Sequence, residues 1–272
     1  FLCCFAFPAH AFDFHPGNIT FTENMAKRNG PGPFSAAPLI QGNTDGTATS
    51  DLLHFGVGTD IYGQQFRSNL DQYQGSVVFW ITPEWDWNDG VTRQILWGGS
   101  DPWWNINLYK SSTNNLVFVM NSSLVSVDIS SWQAGSSYNV VLRWDRDNTL
   151  NGTHYGSVSI NDSHSFGRTS SFGTNVAVYD HYIGEIFDGS YPANALIEGL
   201  TIYRRPLFDG TYGIDIGNGD EISQIYNNGP GQDPTLVTGS WDVVFCMPTD
   251  GDRETLGSSG TATGQAWSHP HA

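Results

Sequence analysis

The chain has 272 residues, of which 39% are hydrophobic and 14% aromatic, enough to bury one large β-sandwich core or two small domains. Charged residues make up only 14%, against roughly 25% in an average soluble protein, so the polar surface is built from Asn, Ser, Thr, Gln and Gly, a habit of extracellular β-proteins. Twenty-seven acidic residues against 11 basic ones give a net charge of −16, a field that disfavours nucleic acid and anionic lipid as partners and suits divalent cations or neutral glycans.

No run of residues approaches the length of a membrane-spanning helix. Residues 1–50 read as an apolar N-terminal strand followed by an irregular Pro/Gly-rich segment, 23–50. Phe1–Ala11 also has the character of the end of a secretory signal, with Ala9-His10-Ala11 as a cleavage site; a retained strand is the preferred reading. Residues 51–240 show short alternating or continuous apolar runs separated by Gly, Asn, Asp and Ser clusters. That pattern predicts an all-β, two-sheet antiparallel sandwich. The expected strands are Ser76–Thr82, Gln94–Gly98, Trp104–Tyr109, Leu116–Asn121, Leu124–Ile129, Tyr138–Asp145, Tyr155–Asn161, Ala177–Gly184 and Ala195–Tyr203.

In Ser76–Thr82 both faces carry apolar residues, so both are covered. In Tyr138–Trp144 the alternation is cleaner, with Asn139, Val141 and Arg143 opposite the apolar face, and a half-buried strand is expected. One short helix is expected from Asp220 to Asn228, capped by Asp220 at its start, with Gly229 as the left-handed residue after its end. Residues 241–272 read as a strand, Trp241–Met247, and a Gly/Ser/Thr-rich tail. This segment opens a further module or serves as an assembly strand. Of three cysteines, Cys246 can pair with Cys3 or Cys4 in an oxidising compartment, or all three can be buried thiols.

From about His54 to Gly229 the chain resembles the concanavalin A-like superfamily, in particular its laminin-G-like jelly-roll modules. The resemblance rests on Gly75-Ser76-Val77-Val78-Phe79-Trp80-Ile81-Thr82-Pro83, on Trp132-Gln133-Ala134-Gly135 followed by Tyr138 to Asp145, on Tyr182-Ile183-Gly184 with Leu196 to Leu207, and on Glu221-Ile222 to Tyr226-Asn227. Phe208–Gly219 is an insertion relative to that pattern. The resemblance implies a jelly-roll sandwich and leaves function open, because the fold hosts lectins, adhesion modules, glycoside hydrolases and viral fibre domains.

Glycoside hydrolysis on this fold needs two carboxylates flanking the scissile bond. Glu84 and Asp86 are the nearest match, but they follow Pro83 and precede Gly90, which places them in an edge loop without the walls an acid catalyst needs. No Ser-His-Asp constellation, nucleotide loop or Cys/His zinc spacing is visible. Asp209, Asp215, Asn218 and Asp220 fall in a glycine-rich loop whose oxygens can converge on calcium or form a solvated turn with a helix cap. Trp85, Trp87, Trp103 and Trp104 lie in expected loops, either packed into the core or forming a contact surface for sugar or protein, whereas Trp80 and Trp144 are core. Sequons at Asn18, Asn121, Asn151 and Asn161 mark surface turns open to glycosylation.

These features point to a non-catalytic extracellular, cell-surface or virion module. It recognises glycan or builds an appendage or filament from copies of itself; the alternative is a glycoside hydrolase using Glu84 and Asp86.

Overall fold

The computed structural model describes residues 73–98, 106–120, 123–171, 181–184, 191–229, 231–232, 234 and 237. It also describes the strand backbones at 19–21, 26–28, 37–40, 53–55, 243–247, 260–261 and 267–268. In chain order the strands are β1 (Ile19–Phe21), β2 (Ala26–Arg28), β3 (Ala37–Ile40), β4 (Leu53–Phe55), β5 (Gln74–Pro83) and β6 (Arg93–Gly98). They continue with β7 (Ile106–Lys110), β8 (Asn115–Met120), β9 (Ser123–Asp128), β10 (Tyr138–Asp145), β11 (Gly156–Ile160) and β12 (Ser163–Gly167). The last are β13 (His181–Ile183), β14 (Ala195–Tyr203), β15 (Val243–Met247), β16 (Gly260–Thr261) and β17 (Trp267–Ser268), with a helix, α1 (Glu221–Tyr226), between β14 and β15.

Two antiparallel sheets face each other. One runs β16-β1-β4-β13-β6-β7-β8-β9; the other runs β12-β11-β10-β5-β14-β15-β17, with β3 also paired to β14 and β2 to β3. The expected β-sandwich is therefore present. Its ends are woven in: β15 pairs with β14 of its own chain, Thr201 opposite Cys246, and β1 pairs with β4. The strand read from sequence as a module start or assembly strand thus lies in the sandwich's own sheet.

The core between the sheets is built by period-two alternation. Val77, Phe79 and Ile81 of β5, Val140, Leu142 and Trp144 of β10, and Ile197 of β14 meet Ile95, Leu108, Leu116 and Phe118 from the opposite sheet. Gly75 is required beside them, since a Cβ there would lie 2.4 Å from the Trp144 ring. The other face is covered in β5, as expected, and also in β10, which was expected to be half-buried. Val78 and Val141 are fully buried under a second apolar layer of Tyr203, Leu207, Ile222, Ile225 and Val237. Asn139 and Arg143 share that buried face, so β10 is covered on both sides. Alternation predicts a wet face only when nothing packs on it, and here the segment from β14 through α1 does.

Local chemistry sets the boundaries. Asp145 ends β10 by accepting the amides of Asp147 and Asn148 at 3.0 and 2.9 Å. Asn161 and Asp162, both with positive φ, form the two-residue turn between β11 and β12. Asp220 caps α1 by accepting the Ser223 amide at 2.9 Å. The left-handed residue that ends the helix is Asn227, not Gly229, at φ 48° and ψ 45°.

Candidate functional site

β5 leaves the sheet at Pro83 and enters a turn whose residues point alternately in and out. The turn is fastened on both sides: Glu84 N–H donates to Asn194 O at 2.9 Å, and Gly135 N–H donates to Pro83 O at 2.7 Å. Trp85 turns inward. It is 4% exposed, its Nε1 donates to Ala193 O at 2.7 Å, and its ring stacks on Trp132, which stacks in turn on Tyr138 at 4.2 Å. Of the two readings of the loop tryptophans, core packing holds for Trp85, and its face is not open to a sugar.

Two cations lie over that indole, Arg93 at 5.7 Å and Lys110 at 5.4 Å from the ring centroid. Both are bound to one carboxylate: Lys110 Nζ to Asp89 Oδ1 at 2.6 Å, and Arg93 Nη2 to Asp89 Oδ2 at 2.7 Å. Burial pushes the Asp89 carboxyl upward. Hydrogen bonds from Lys110, the Val91 amide and Arg93, with the charge of Arg93, outweigh that and hold it below the usual range.

Asp86 turns outward, whereas Trp87 lies at the boundary between core and solvent. Asp86 is exposed, and its Oδ1 accepts the Ala134 amide at 2.9 Å. Trp87 is half-buried against the core edge, and its N–H donates to Trp132 O at 3.2 Å. The Asp86 carboxylate and the Trp87 backbone are thus anchored on the same short segment, 132–134. A turn closed by Asp89 N–H to Asp86 O, 3.2 Å, carries both. Nearby stand Val91, 45% exposed, and Tyr191, 52% exposed, the latter at φ +57° and tied to Gln94 N–H through its carbonyl at 2.7 Å. A bulky residue with positive φ is a true outlier of backbone conformation. Sequence reading missed Tyr191 because its importance comes from exposure, which no local pattern encodes.

Glu84 and Asp86, the alternative catalytic pair, are both exposed on this turn, and one oxygen of Asp86 is committed to a backbone amide. Trp103 and Trp104 lie outside the described residues, as do Asn18, Asn121, Cys3 and Cys4. Asn151 and Asn161 sit in turns, with the Asn151 side chain accepting the His154 amide at 2.8 Å and that of Asn161 accepting the Asn139 amide at 2.8 Å.

The four expected calcium ligands do other work. Asp209 is buried and ion-paired with Arg143 at 2.7 Å, while its second oxygen accepts the amides of Thr211 and Tyr212. Burial raises the Asp209 carboxyl, but the Arg143 charge and these hydrogen bonds bring it below the usual range. Asp220 caps α1, Asp215 accepts the Gly217 amide at 2.7 Å, and Asn218 Nδ2 donates to Val237 O at 3.1 Å. Among the described residues no three His, Cys, Asp or Glu side chains form a group that could hold a metal. The turn, not a cage, is the arrangement found.

Structure adds one constellation that spacing concealed. Ser159 Oγ lies 2.6 Å from His164 Nδ1, and His164 Nε2 lies 3.8 Å from Asp162 Oδ1. Ser159 is 1% exposed, so no substrate reaches it, and the trio is structural. Burial and then the charge of Asp220 raise the Asp162 carboxyl, against smaller lowering effects from Ser223 and His164, and Asp209 adds a last raising effect.

No protein-family model matches the sequence, and no curated protein does. Solved structures similar to this chain include a heptameric pentraxin resembling serum amyloid P component from Limulus polyphemus. It is 15% identical with TM-score 0.43, over 78% of this chain and 83% of the other. Domain 4 of an extracellular arabinanase from Geobacillus stearothermophilus, in complex with arabinotriose, is 17% identical with TM-score 0.43, over 78% and 86%. A third, described as a putative carbohydrate binding protein from Bacteroides ovatus, is 15% identical with TM-score 0.44, over 80% and 59%. At this distance they assign neither family nor ligand; the class defined by the strands themselves is a two-sheet antiparallel β-sandwich.

Proposed function

We propose that this chain is a non-catalytic, extracellular glycan-binding module whose contact surface is the Asp86–Trp87 turn, flanked by Val91 and Tyr191. One observation carries the reading: Asp86 through its carboxylate, and Trp87 through its backbone N–H, are both fastened to the segment 132–134 on one exposed turn. A sugar ring has an apolar C–H face and a rim of hydroxyls. The face stacks on an aromatic ring, and the hydroxyls donate charge-assisted hydrogen bonds to a carboxylate. Because the Ala134 amide already holds the Asp86 carboxylate and Trp87 packs against the core edge, little ordering cost opposes binding. Carbohydrate-binding proteins among the similar structures are compatible with this reading but do not supply it. Self-association through β15 gains less support, since it pairs within its own chain, while Phe1–Ala11 lies outside the described residues.

A glycan array followed by calorimetry tests the proposal. Trp87→Ala is expected to weaken binding at least tenfold, about 1.4 kcal/mol, with Tyr191→Ala smaller, while both variants keep the parent's circular dichroism. Hydrolysis of a bound glycan that Glu84→Gln abolishes would replace this reading with the hydrolase.

A further inference from the structure

We infer that the surface takes linear oligosaccharides rather than single sugars, with Tyr191 as a second stacking ring beside Trp87, an inference that rests on the glycan-binding reading above. The turn 84–92 joins β5 in one sheet to β6 in the other. On either side of it, 131–137 leads into β10 and 191–194 into β14, the two neighbours of β5. The turn is bonded to both: to 132–134 through Asp86 and Trp87, and to 191–194 through the Glu84 N–H and Trp85 Nε1. Arg93 adds a brace, giving Nε to Asp89 Oδ2 at 2.8 Å and Nη1 to Pro192 O at 3.4 Å. Trp87 and Tyr191 therefore stand on adjoining segments whose spacing is fixed.

Tyr191 is held there against its own preference. Its φ of +57° is one that glycine adopts freely and a bulky side chain does not. The backbone cannot relax, because all four carbonyls of 191–194 accept hydrogen bonds. Gln94 N–H donates to Tyr191 O at 2.7 Å, Arg93 to Pro192 O, Trp85 Nε1 to Ala193 O at 2.7 Å and Glu84 N–H to Asn194 O at 2.9 Å. The ring is 52% exposed, so its own packing offsets little of that strain. Strain imposed by the surroundings on an exposed aromatic residue marks a contact residue. One sugar unit stacks on one aromatic ring, and two rings on adjoining segments suit a chain of two or more units.

The test is a length series. Oligosaccharides of one, two and three units, from a class that binds on an array, are titrated into the full chain, the shortest by ligand-observed magnetic resonance. Affinity is expected to rise about fivefold from one unit to the longer chains. Tyr191→Ala should remove that rise and leave one-unit binding within about twofold, whereas Trp87→Ala weakens every length. Tyr191→Gly, freed of the strain, should melt roughly 2 °C above Tyr191→Ala and bind no better. Equal affinity at every length, with Trp87→Ala weakening each, would overturn the second platform and leave the glycan surface standing. Tyr191→Ala weakening one unit as much as three would merge the two rings into a single subsite and overturn it likewise. A glycine variant no more stable than the alanine one would remove the strain that marks Tyr191 out. Failure of every glycan to bind would overturn both the second platform and the reading beneath it.

Discussion

Two regions of this molecule bury cations, and they bury them differently. Over the outer face of the second sheet, Arg143 and Arg205 each have one carboxylate. Arg143 pairs with Asp209, and Arg205 grips both oxygens of Glu221 at 2.7 and 2.6 Å. The same guanidinium groups hold carbonyls of the loop above them, Leu207 and Tyr212 by Arg143 and Ile214 by Arg205. At the Asp86–Trp87 end, a single partly exposed carboxylate, Asp89, serves both Arg93 and Lys110. One-to-one pairing gives a sealed staple. Two-to-one pairing leaves net positive charge beneath Trp85, compensated by its π-face and by backbone carbonyls. The first arrangement clamps a covering layer, and the second stiffens the turn that carries Asp86 and Trp87.

Breaking the sealed pairs should have the largest effect. Arg205→Ala leaves Glu221, fully buried, without its counter-ion, and a loss of about 3–5 kcal/mol in denaturant-monitored stability is expected. A loss below about 1 kcal/mol would mean that solvent enters the layer and that the two regions are alike. Asp89→Asn should cost less, about 2 kcal/mol, because Asp89 retains access to water and the remaining amide still accepts a hydrogen bond. Glycan affinity should fall with it if the turn loses its shape, which calorimetry on the folded variant would report.

The smallest effect has the opposite sign. Asp162 is raised in the folded chain above its ordinary 3.8. The proton it holds therefore favours the native state below the unfolded value, and that contribution is lost as pH rises through the folded value. Asp209 and Asp89 are lowered; they contribute stability above 3.8 that is lost as pH falls through their folded values. Asp162→Asn should thus be stabilising at pH 7, by less than about 1 kcal/mol, with the gain vanishing in acid. Asparagine also tolerates the left-handed φ of 66° found there. Thermal melts of the variant and parent across pH would show the two curves meeting at low pH; parallel curves would remove Asp162 from the account.

Strands were readable in the sequence where alternation was strong: Tyr138–Asp145 and Ala195–Tyr203 match the structure end for end. β12, Ser-His-Ser-Phe-Gly, was not, because its residues are polar or half-buried and its pairing with β11 is decided by the Asn161–Asp162 turn. The contact turn was half legible. Its residue types drew attention to Asp86 and Trp87, but nothing local separates Trp85, which is buried, from Trp87, which is half-buried at the core edge. That choice is made by Ala193 O and by the Trp132 ring, more than 40 residues away. The loop read as open to calcium shows the converse. Asp209 looks like a cation ligand because it is one, but the cation is Arg143, placed 66 positions earlier on a face that alternation alone left in water.

The strand order has a consequence for how the chain is made. β5 is the central strand of its sheet, flanked by β10 and β14, and its partner Ala195 lies 112 residues beyond Pro83. At about 5–20 residues per second of synthesis, the far edge of β5 waits on the order of ten seconds for β14 to emerge. Throughout that interval Val77 to Ile81 form a hydrophobic, unpaired edge, the kind of segment that recruits a wrong strand. Contacts this distant in sequence also slow spontaneous refolding, since loop closure precedes any gain from pairing. A chain truncated before β14 should therefore aggregate although it contains thirteen of the seventeen described strands.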